Sequence, residues 1–228
     1  KACACDMVKT FQPTIIIHQV TDLKHLSSQD NATIRKIGTQ HIVAASLAYH
    51  VEKLISQSIS WAYEAGKETA TEDTPLDLAA DFPRKTTIDG ILALEKATQQ
   101  LAQHVILRYG TLYGEDTWYA KNGDIHQQFL DGTAKVSHGI TNFIHIQDAV
   151  AAAILAISLP TGIYNIVDDE PACGPIWASY YAQHITGDSN TISYLDKNPW
   201  ERAVSNASYK QNGGKLAFNS WREGMKDL

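Results

Sequence analysis

The sequence has few cysteines, no long hydrophobic run and no basic leader. Its three cysteines, Cys3, Cys5 and Cys173, are an odd and unevenly spaced set, which argues against a disulfide framework and favours a reducing compartment. No apolar run approaches the roughly 20 residues that span a bilayer, and no basic segment precedes a short apolar one as in a signal peptide. We therefore expect a cytoplasmic protein without a membrane partner.

The formal net charge is −6, and no block of Lys and Arg is present. This balance argues against nucleic acid or an anionic membrane as the main partner and leaves a small molecule as the expected one. The nine histidines show no HExxH spacing, and no further ligands at zinc-finger spacing follow the pair Cys3 and Cys5. We therefore expect no metal site.

Short β-rich runs alternate with longer helical patterns along the 228 residues. The runs are residues 14–18, 53–58 and 104–109, and alternation of this kind predicts βαβ units, hence an α/β fold with a parallel sheet. A helix starting near Asn31 would pack one stripe on the sheet, namely Ile34, Ile37, Ala44, Leu47 and Val51. A second helix, starting at Thr86 or Thr87, would bury Ile88, Ile91, Leu92 and Leu101.

Five motifs occur in an order that resembles the extended short-chain dehydrogenase/reductases, the nucleotide-sugar epimerase and dehydratase family. They are Ile-Ile-Ile-His at 15–18, Gly-Thr at 38–39, the strand and Tyr/Gly turn at 106–114, Phe-Ile-His-Ile-Gln-Asp at 143–148, and Gly-Ile-Tyr-Asn-Ile at 162–166. The resemblance implies a Rossmann-type parallel sheet flanked by helices, with a small C-terminal substrate lobe. It divides the chain into a dinucleotide-binding domain, residues 1–110, and a substrate lobe, residues 111–228, interleaved with the last elements of the sheet. The glycine-rich GxGxxG fingerprint is missing, so we expect a longer protein whose opening βαβ unit precedes this sequence.

The resemblance also implies which residues meet the ligands. NAD or NADP would lie against Val20, Thr21, Ser58, Tyr109 and Gly110. The substrate would lie against Thr111, Arg108 and His145, although Arg108 serves equally well as an anchor of its strand. The two helices described above are those through which such proteins often form homodimers, so a homodimer is a further expectation.

The family's catalytic Tyr and Lys, spaced YxxxK, are not in place. Counted back from Glu95, their positions hold Thr87 and Ile91, and neither side chain can exchange a proton with a substrate hydroxyl. Glu95 itself is either a buried acid or, as we favour, a structural carboxylate with a polar partner.

A literal YxxxK occurs elsewhere, at residues 63–67. Tyr63 is therefore a candidate acid/base, with a structural turn tyrosine as the alternative, because Gly66 argues against a helix that aligns it with Lys67. The family's serine, which hydrogen-bonds the reacting oxygen, falls on Ile59, and Ser60 would substitute if the strand end bulges.

The expected function is that of an NAD(P)-dependent oxidoreductase, epimerase or dehydratase acting on a small polar substrate, with sugars as one option. The alternative is a non-catalytic regulator or scaffold that binds the dinucleotide. The acidic run at 168–170 would be a solvated turn rather than a metal site.

Overall fold

The structure is a computed structural model that describes residues 2–21, 27–188 and 192–228, without the side chains of residues 2, 3 and 227. The thiol of Cys3, considered above as a ligand, lies outside the described side chains. The helices are α1 (Ala2–Phe11), α2 (Ser28–Thr33), α3 (Thr39–Ala48), α4 (Arg84–Thr98), α5 (Asp124–Leu130), α6 (Ile146–Leu155), α7 (Gly174–Thr186), α8 (Ala207–Gln211) and α9 (Trp221–Gly224). The strands are β1 (Ile15–His18), β2 (Lys53–Ile59), β3 (Gln103–Tyr109), β4 (Thr111–Tyr113), β5 (Lys135–Ser137), β6 (Ile140–Thr141), β7 (Phe143–His145), β8 (Gly162–Ile166), β9 (Ala172–Cys173) and β10 (Ser193–Leu195).

A four-stranded sheet in the order β1-β2-β3-β8 forms the framework. β1 and β2 are parallel, and His18 lies opposite Ser56 in their register. All but one residue of β2 are buried, as expected for a strand covered on both faces. The predicted Rossmann-type parallel sheet flanked by helices is confirmed.

The chain divides into two compact units. The first comprises Lys1–Glu64, Thr74–Arg108 and Ala153–Tyr164, and the second comprises Ala65–Asp73, Tyr109–Ala152 and Asn165–Leu228. Most residues up to Arg108 belong to the first unit and most later residues to the second, and the predicted division was at residue 110. Two shorter segments are exceptions, Ala65–Asp73 in the second unit and Ala153–Tyr164 in the first.

The predicted stripe on the first helix is wrong at Ile37, Ala44 and Leu47, whereas Val51, which follows α3, is buried as predicted. Ile37 and Leu47 are half exposed and Ala44 is exposed, whereas Arg35 and Val43 are buried. The cause is a π-helical segment, Ile34–Gly38, between α2 and α3. Because a π turn contains more residues than an α turn, it rotates the following residues away from the face that a regular helix predicts.

The second helix begins before the predicted threonines, at Arg84, with Pro83 as its N-cap residue. Ile88 and Ile91 are buried as predicted and pack with Ile59 and Ala62, whereas Leu92 is only partly buried. This contact fixes α4 against the carboxyl end of β2.

Lys53, at the start of β2, has its ammonium group in the interior of the first unit. Its Nζ donates to the carbonyl oxygens of Ala156, Ile157 and Leu159, at 3.3, 2.9 and 2.8 Å. These carbonyls follow the end of α6, where backbone acceptors lack helical partners. The lysine therefore satisfies the end of a helix more than 100 residues away in sequence.

The core of the second unit is rich in aromatic side chains. Tyr113, Phe143, Trp177 and Tyr181 are each almost fully buried in one cluster, and Tyr113 meets Phe143 edge to face at 5.7 Å. No helix among the described residues is long and apolar enough to cross a membrane.

Candidate functional site

The carboxyl ends of β1 and β2 bring polar side chains together. The ring of His18 and the hydroxyl of Thr39 share a hydrogen bond of 3.0 Å. Val20, Thr21 and Ser58, three of the residues predicted to bind the cofactor, line one cavity of about 10 Å³, which holds about one water molecule. This edge of a parallel sheet is where α/β proteins bind their ligands.

Arg35 lines the same cavity and was not predicted as a site residue. It is 7% exposed, and burial lowers the pKa of its guanidinium. The π-helical segment turns it inward, so a regular helical pattern gave no signal for it. The cavity lining therefore includes a cationic side chain in addition to Ser58.

A buried network built on Glu95 lies next to this edge. Arg108 donates from Nε and Nη2 to the two carboxylate oxygens of Glu95, at 2.9 and 2.7 Å. The hydroxyl of Ser58 donates to Oε1 of the same carboxylate at 2.6 Å. Glu95 is thus a structural carboxylate with polar partners, which confirms the favoured interpretation of this residue.

Tyr63 completes the network from the other side of the guanidinium. Nη1 of Arg108 donates to the Tyr63 hydroxyl at 2.9 Å, and the guanidinium carbon lies 4.9 Å from the centre of the tyrosine ring. Burial alone would lower the pKa of Arg108, but the hydrogen bond and charge of Glu95 outweigh burial and raise it. All the nitrogens of Arg108 therefore face Glu95 and Tyr63, which favours the anchoring role over a substrate contact.

Ser60 differs from its neighbours in having an unused hydroxyl. The residue is 1% exposed, and its Oγ has no hydrogen-bond partner in the described part of the chain. Because buried hydroxyls are nearly always paired, this oxygen is a candidate for contact with a ligand.

The two positions that would hold the family's catalytic Tyr and Lys both lie on α4. Ile91 is fully buried among Ile59, Ala62 and Ile88, and Thr87 lies one turn earlier. An ammonium in place of Ile91 would stand in an apolar cluster, so the local packing suits the residue that is present.

The remaining predicted residues belong to the second unit. The hydroxyl of Tyr109 is buried and donates to the carbonyl oxygen of Ala149 at 3.3 Å. Gly110 has no room for a side chain, because a Cβ there would lie 2.4 Å from the carbonyl oxygen of Asn142. Thr111, which starts β4, is half buried, and its amide donates to the same carbonyl at 2.7 Å.

His145 is packed between aromatic rings. Its ring lies 4.0 Å from that of Phe218 and 5.1 Å from that of Tyr113. Gly114 has a φ of +114°, and a Cβ there would lie 2.8 Å from Nε2 of His145. The imidazole of His145 therefore occupies space that is open only because residue 114 has no side chain.

The acidic run after β8 is only in part the solvated turn that we expected. Asp169 pairs with Lys210 and Glu170 with Arg222, but Asp168 is 4% exposed. Burial, with the charges of Asp148 and other acids nearby, raises the pKa of Asp168 to about 8. Among the described residues, no group of three or more His, Cys, Asp or Glu side chains is placed to hold a metal ion.

Comparison with known proteins supports this description. The sequence model of the NAD dependent epimerase/dehydratase family matches residues 1–166. A curated relative from a Streptomyces species, 3-diazoavenalumate denitrifying reductase, is 36% identical over 190 residues, which cover 77% of this chain and 62% of that protein. The chain thus spans less than two thirds of that relative's length.

Solved structures show the same fold at lower identity. The Bordetella bronchiseptica enzyme WbmH in complex with NAD+ is 14% identical with a TM-score of 0.80, over 99% of this chain and 77% of that one. WbmG from the same organism, in complex with NAD, is 16% identical with a TM-score of 0.77, over 98% and 73%. The UDP-glucose 4-epimerase of Thermus thermophilus, complexed with NAD, is 20% identical with a TM-score of 0.74, over 98% and 78%.

Proposed function

The chain belongs to the NAD dependent epimerase/dehydratase family, and from this premise we propose that it is part of an NAD(P)H-dependent reductase. The reductase would transfer a hydride without exchanging a proton with a substrate hydroxyl. The observation that carries the proposal is the identity of two residues on α4. Thr87 and the fully buried Ile91 are present at the positions of the family's tyrosine and lysine.

The chemistry of the relative explains how a reductase dispenses with that pair. Its name describes a diazo compound, a reduction and the loss of nitrogen. For such a step a bound nicotinamide would supply the hydride. A C–H bond would form at the carbon that bears the diazonium group while the C–N bond breaks and N2 leaves, and the positive charge would pass to the oxidised cofactor, so that atoms and charge balance with no proton. Epimerisation through a ketone, in contrast, requires a base for the alcohol.

For the cofactor, NAD or NADP, we propose the polar edge at the ends of β1 and β2. Val20, Thr21 and Ser58 would contact it there. Tyr109 and Gly110, which belong to the second unit, stay predicted cofactor contacts. Support comes from the shared cavity of the first three residues and from the NAD complexes of structurally similar proteins.

Of the two predicted catalytic residues, Ser60 is the one that we propose to touch the reacting group, because its buried hydroxyl is unused. Tyr63 and Arg108 act as positioning residues, since the tyrosine hydroxyl receives an N–H of the arginine. Thr111 is the proposed substrate contact of the second unit, and His145 would shape that region through packing.

The test uses the full-length gene product with NADH and NADPH, and 4-carboxybenzenediazonium as the probe. We expect absorbance at 340 nm to fall, with one N2 released per cofactor oxidised, faster than in a protein-free control. Ser60→Ala should lower this rate without lowering cofactor affinity. Rates equal to the protein-free control would refute the reductase.

The alternative, a regulator that binds the dinucleotide without chemistry, gives a different result in the same experiment. Such a protein would retain NAD(H) or NADP(H) in a calorimetric titration and consume neither. Turnover of UDP-glucose with no effect on the diazonium probe would instead point to sugar chemistry and contradict the proposal.

A further inference from the structure

The second unit contains a groove of about 550 Å³ that none of the roles above uses. It lies among α5, β5, β10 and α7, and residues of all four elements line it. Its volume is that of a typical small-molecule site.

Aromatic rings form the inner wall of the groove. Tyr119, Phe129 and Trp177 line it, and each is more than nine-tenths buried. The ring of Trp177 lies 5.9 Å from that of Tyr119, in an edge-to-face arrangement, and 6.0 Å from that of Phe129. The surface presented to the groove is therefore suited to a flat ring, which gains from edge and face contacts beyond the area that it buries.

The same wall includes an unsatisfied donor. The indole Nε1 of Trp177 is buried and has no hydrogen-bond acceptor among the described residues. An N–H of this kind is costly to leave unpaired. A ligand in the groove that reaches this N–H would satisfy it, in addition to contacting the apolar rings.

The charges along the groove limit what the ligand can be. The charged residues that line it are Lys135, Asp196 and Glu201, a formal charge of −1. Glu201 accepts a hydrogen bond from the hydroxyl of Ser137 and two from Asn198, whose backbone and side-chain N–H groups donate at 2.6 and 3.2 Å. Diphosphates are bound where Arg and Lys side chains or helix N-termini converge, and a single exposed lysine beside two acids does not provide such a site.

We propose that this groove binds a planar aromatic compound that carries at most one negative charge, and that it does not bind a nucleotide sugar. The ring lies against Tyr119, Phe129 and Trp177, and a carboxylate on the compound, where present, pairs with Lys135. The binding of this compound in the groove does not depend on the proposed function. The further statement that this compound is the molecule reduced rests on the proposed function.

The experiment is a calorimetric titration of the full-length protein with 4-hydroxycinnamate, its neutral amide and UDP-glucose. We expect both aromatic probes to bind saturably and UDP-glucose to show no binding at the same concentrations. Tighter binding of UDP-glucose than of either aromatic probe would overturn the proposal.

Two variants connect binding to the groove. Lys135→Ala should weaken 4-hydroxycinnamate about threefold to fivefold and leave the amide unchanged, with Lys215→Ala, an exposed lysine outside the groove, as the matched control. Trp177→Phe should weaken both aromatic probes. Binding that neither variant changes would place the aromatic compound elsewhere and refute the proposal.

The two proposals fail in different ways. If the protein binds the aromatic probes but oxidises no NAD(P)H with the diazonium probe, the groove stands and the reductase does not. If it oxidises NAD(P)H but binds no aromatic probe, the reductase stands and this inference is refuted.

Discussion

Arg108 and Glu95 form a two-point ion pair, with nitrogen–oxygen distances of 2.9 and 2.7 Å, in the interior of the first unit. Both side chains are about 95% buried. The pair joins the carboxyl end of β3 to α4, and Ser58 and Tyr63 complete its hydrogen bonds. The side chains at the candidate site therefore depend on one carboxylate for their placement.

Replacing Glu95 with Gln should lower the free energy of unfolding by about 3 to 5 kcal/mol, because it leaves the Arg108 charge buried without a counter-ion. Urea unfolding measures this loss. The matched control is Asp89→Asn on the same helix, which breaks the pair between Asp89 and Lys85 at the surface and should cost less than about 1 kcal/mol. Equal effects of the two variants would contradict the structural role of Glu95.

Lys53→Met should also destabilise the protein, by about 2 to 4 kcal/mol. The variant keeps the aliphatic bulk but leaves three carbonyls without the ammonium that each accepts from, and each unpaired buried acceptor costs about 1 kcal/mol or more. Lys96→Met, at an exposed site on α4, should change the unfolding free energy by less than about 0.5 kcal/mol. A Lys53 variant as stable as the Lys96 variant would show that these hydrogen bonds contribute nothing.

Asp168 should make stability fall as the pH rises. Its pKa is raised to about 8 in the folded protein from an ordinary value of 3.8, so between these values the folded state holds a proton that the unfolded state has lost. The unfolding free energy should therefore decline by about 1.4 kcal/mol per pH unit over this range and level off above it.

Asp168→Asn removes this contribution, because the amide does not titrate. We expect the variant to show a flatter pH profile than the natural protein in urea unfolding between pH 5 and pH 9, and to gain relative stability toward the alkaline end. Asp116→Asn, at an exposed carboxylate, should leave the slope unchanged. Parallel profiles for the natural protein and Asp168→Asn would refute the assignment.

Gly114 and Gly187 offer a matched test of the packing around His145. Both have positive φ, +114° and +73°, but only at Gly114 would a Cβ meet neighbours, which include the histidine ring at 2.8 Å. Gly187→Ala should cost about 1 kcal/mol for the backbone conformation alone. Gly114→Ala should cost at least about 1 kcal/mol more, because the clash adds to the strain. A smaller loss at Gly114 than at Gly187 would show that the ring moves aside freely.

The strands could be predicted well because buried parallel strands are apolar on both faces. Residues 14–18, 53–58 and 104–109 were predicted, and the strands are Ile15–His18, Lys53–Ile59 and Gln103–Tyr109. The start of α4 was predicted two or three residues late, because a threonine cap was assumed where Pro83 precedes the helix.

The side-chain partners at the site could not be predicted from the sequence. That Glu95 would have a polar partner followed from its place on the inner side of a helix. The sequence did not predict that these partners would be Arg108 and Ser58. The three side chains lie on different elements, and only the packing of those elements brings them into contact. The same limit applies to Asp168, which sits in an acidic run that reads as exposed and yet is buried.

The π-helical segment Ile34–Gly38 has a consequence for engineering. Substitutions taken from a relative whose helix is regular would be matched to this chain by counting residues along the helix. After the π-helical segment, positions matched in this way will face different directions. Such substitutions should be matched by the direction in which the side chain points, with Thr39 and Val43 taken as inward-facing. Chimeras between this chain and its relatives are best joined outside residues 34–48, so that each parent keeps its own helical phase.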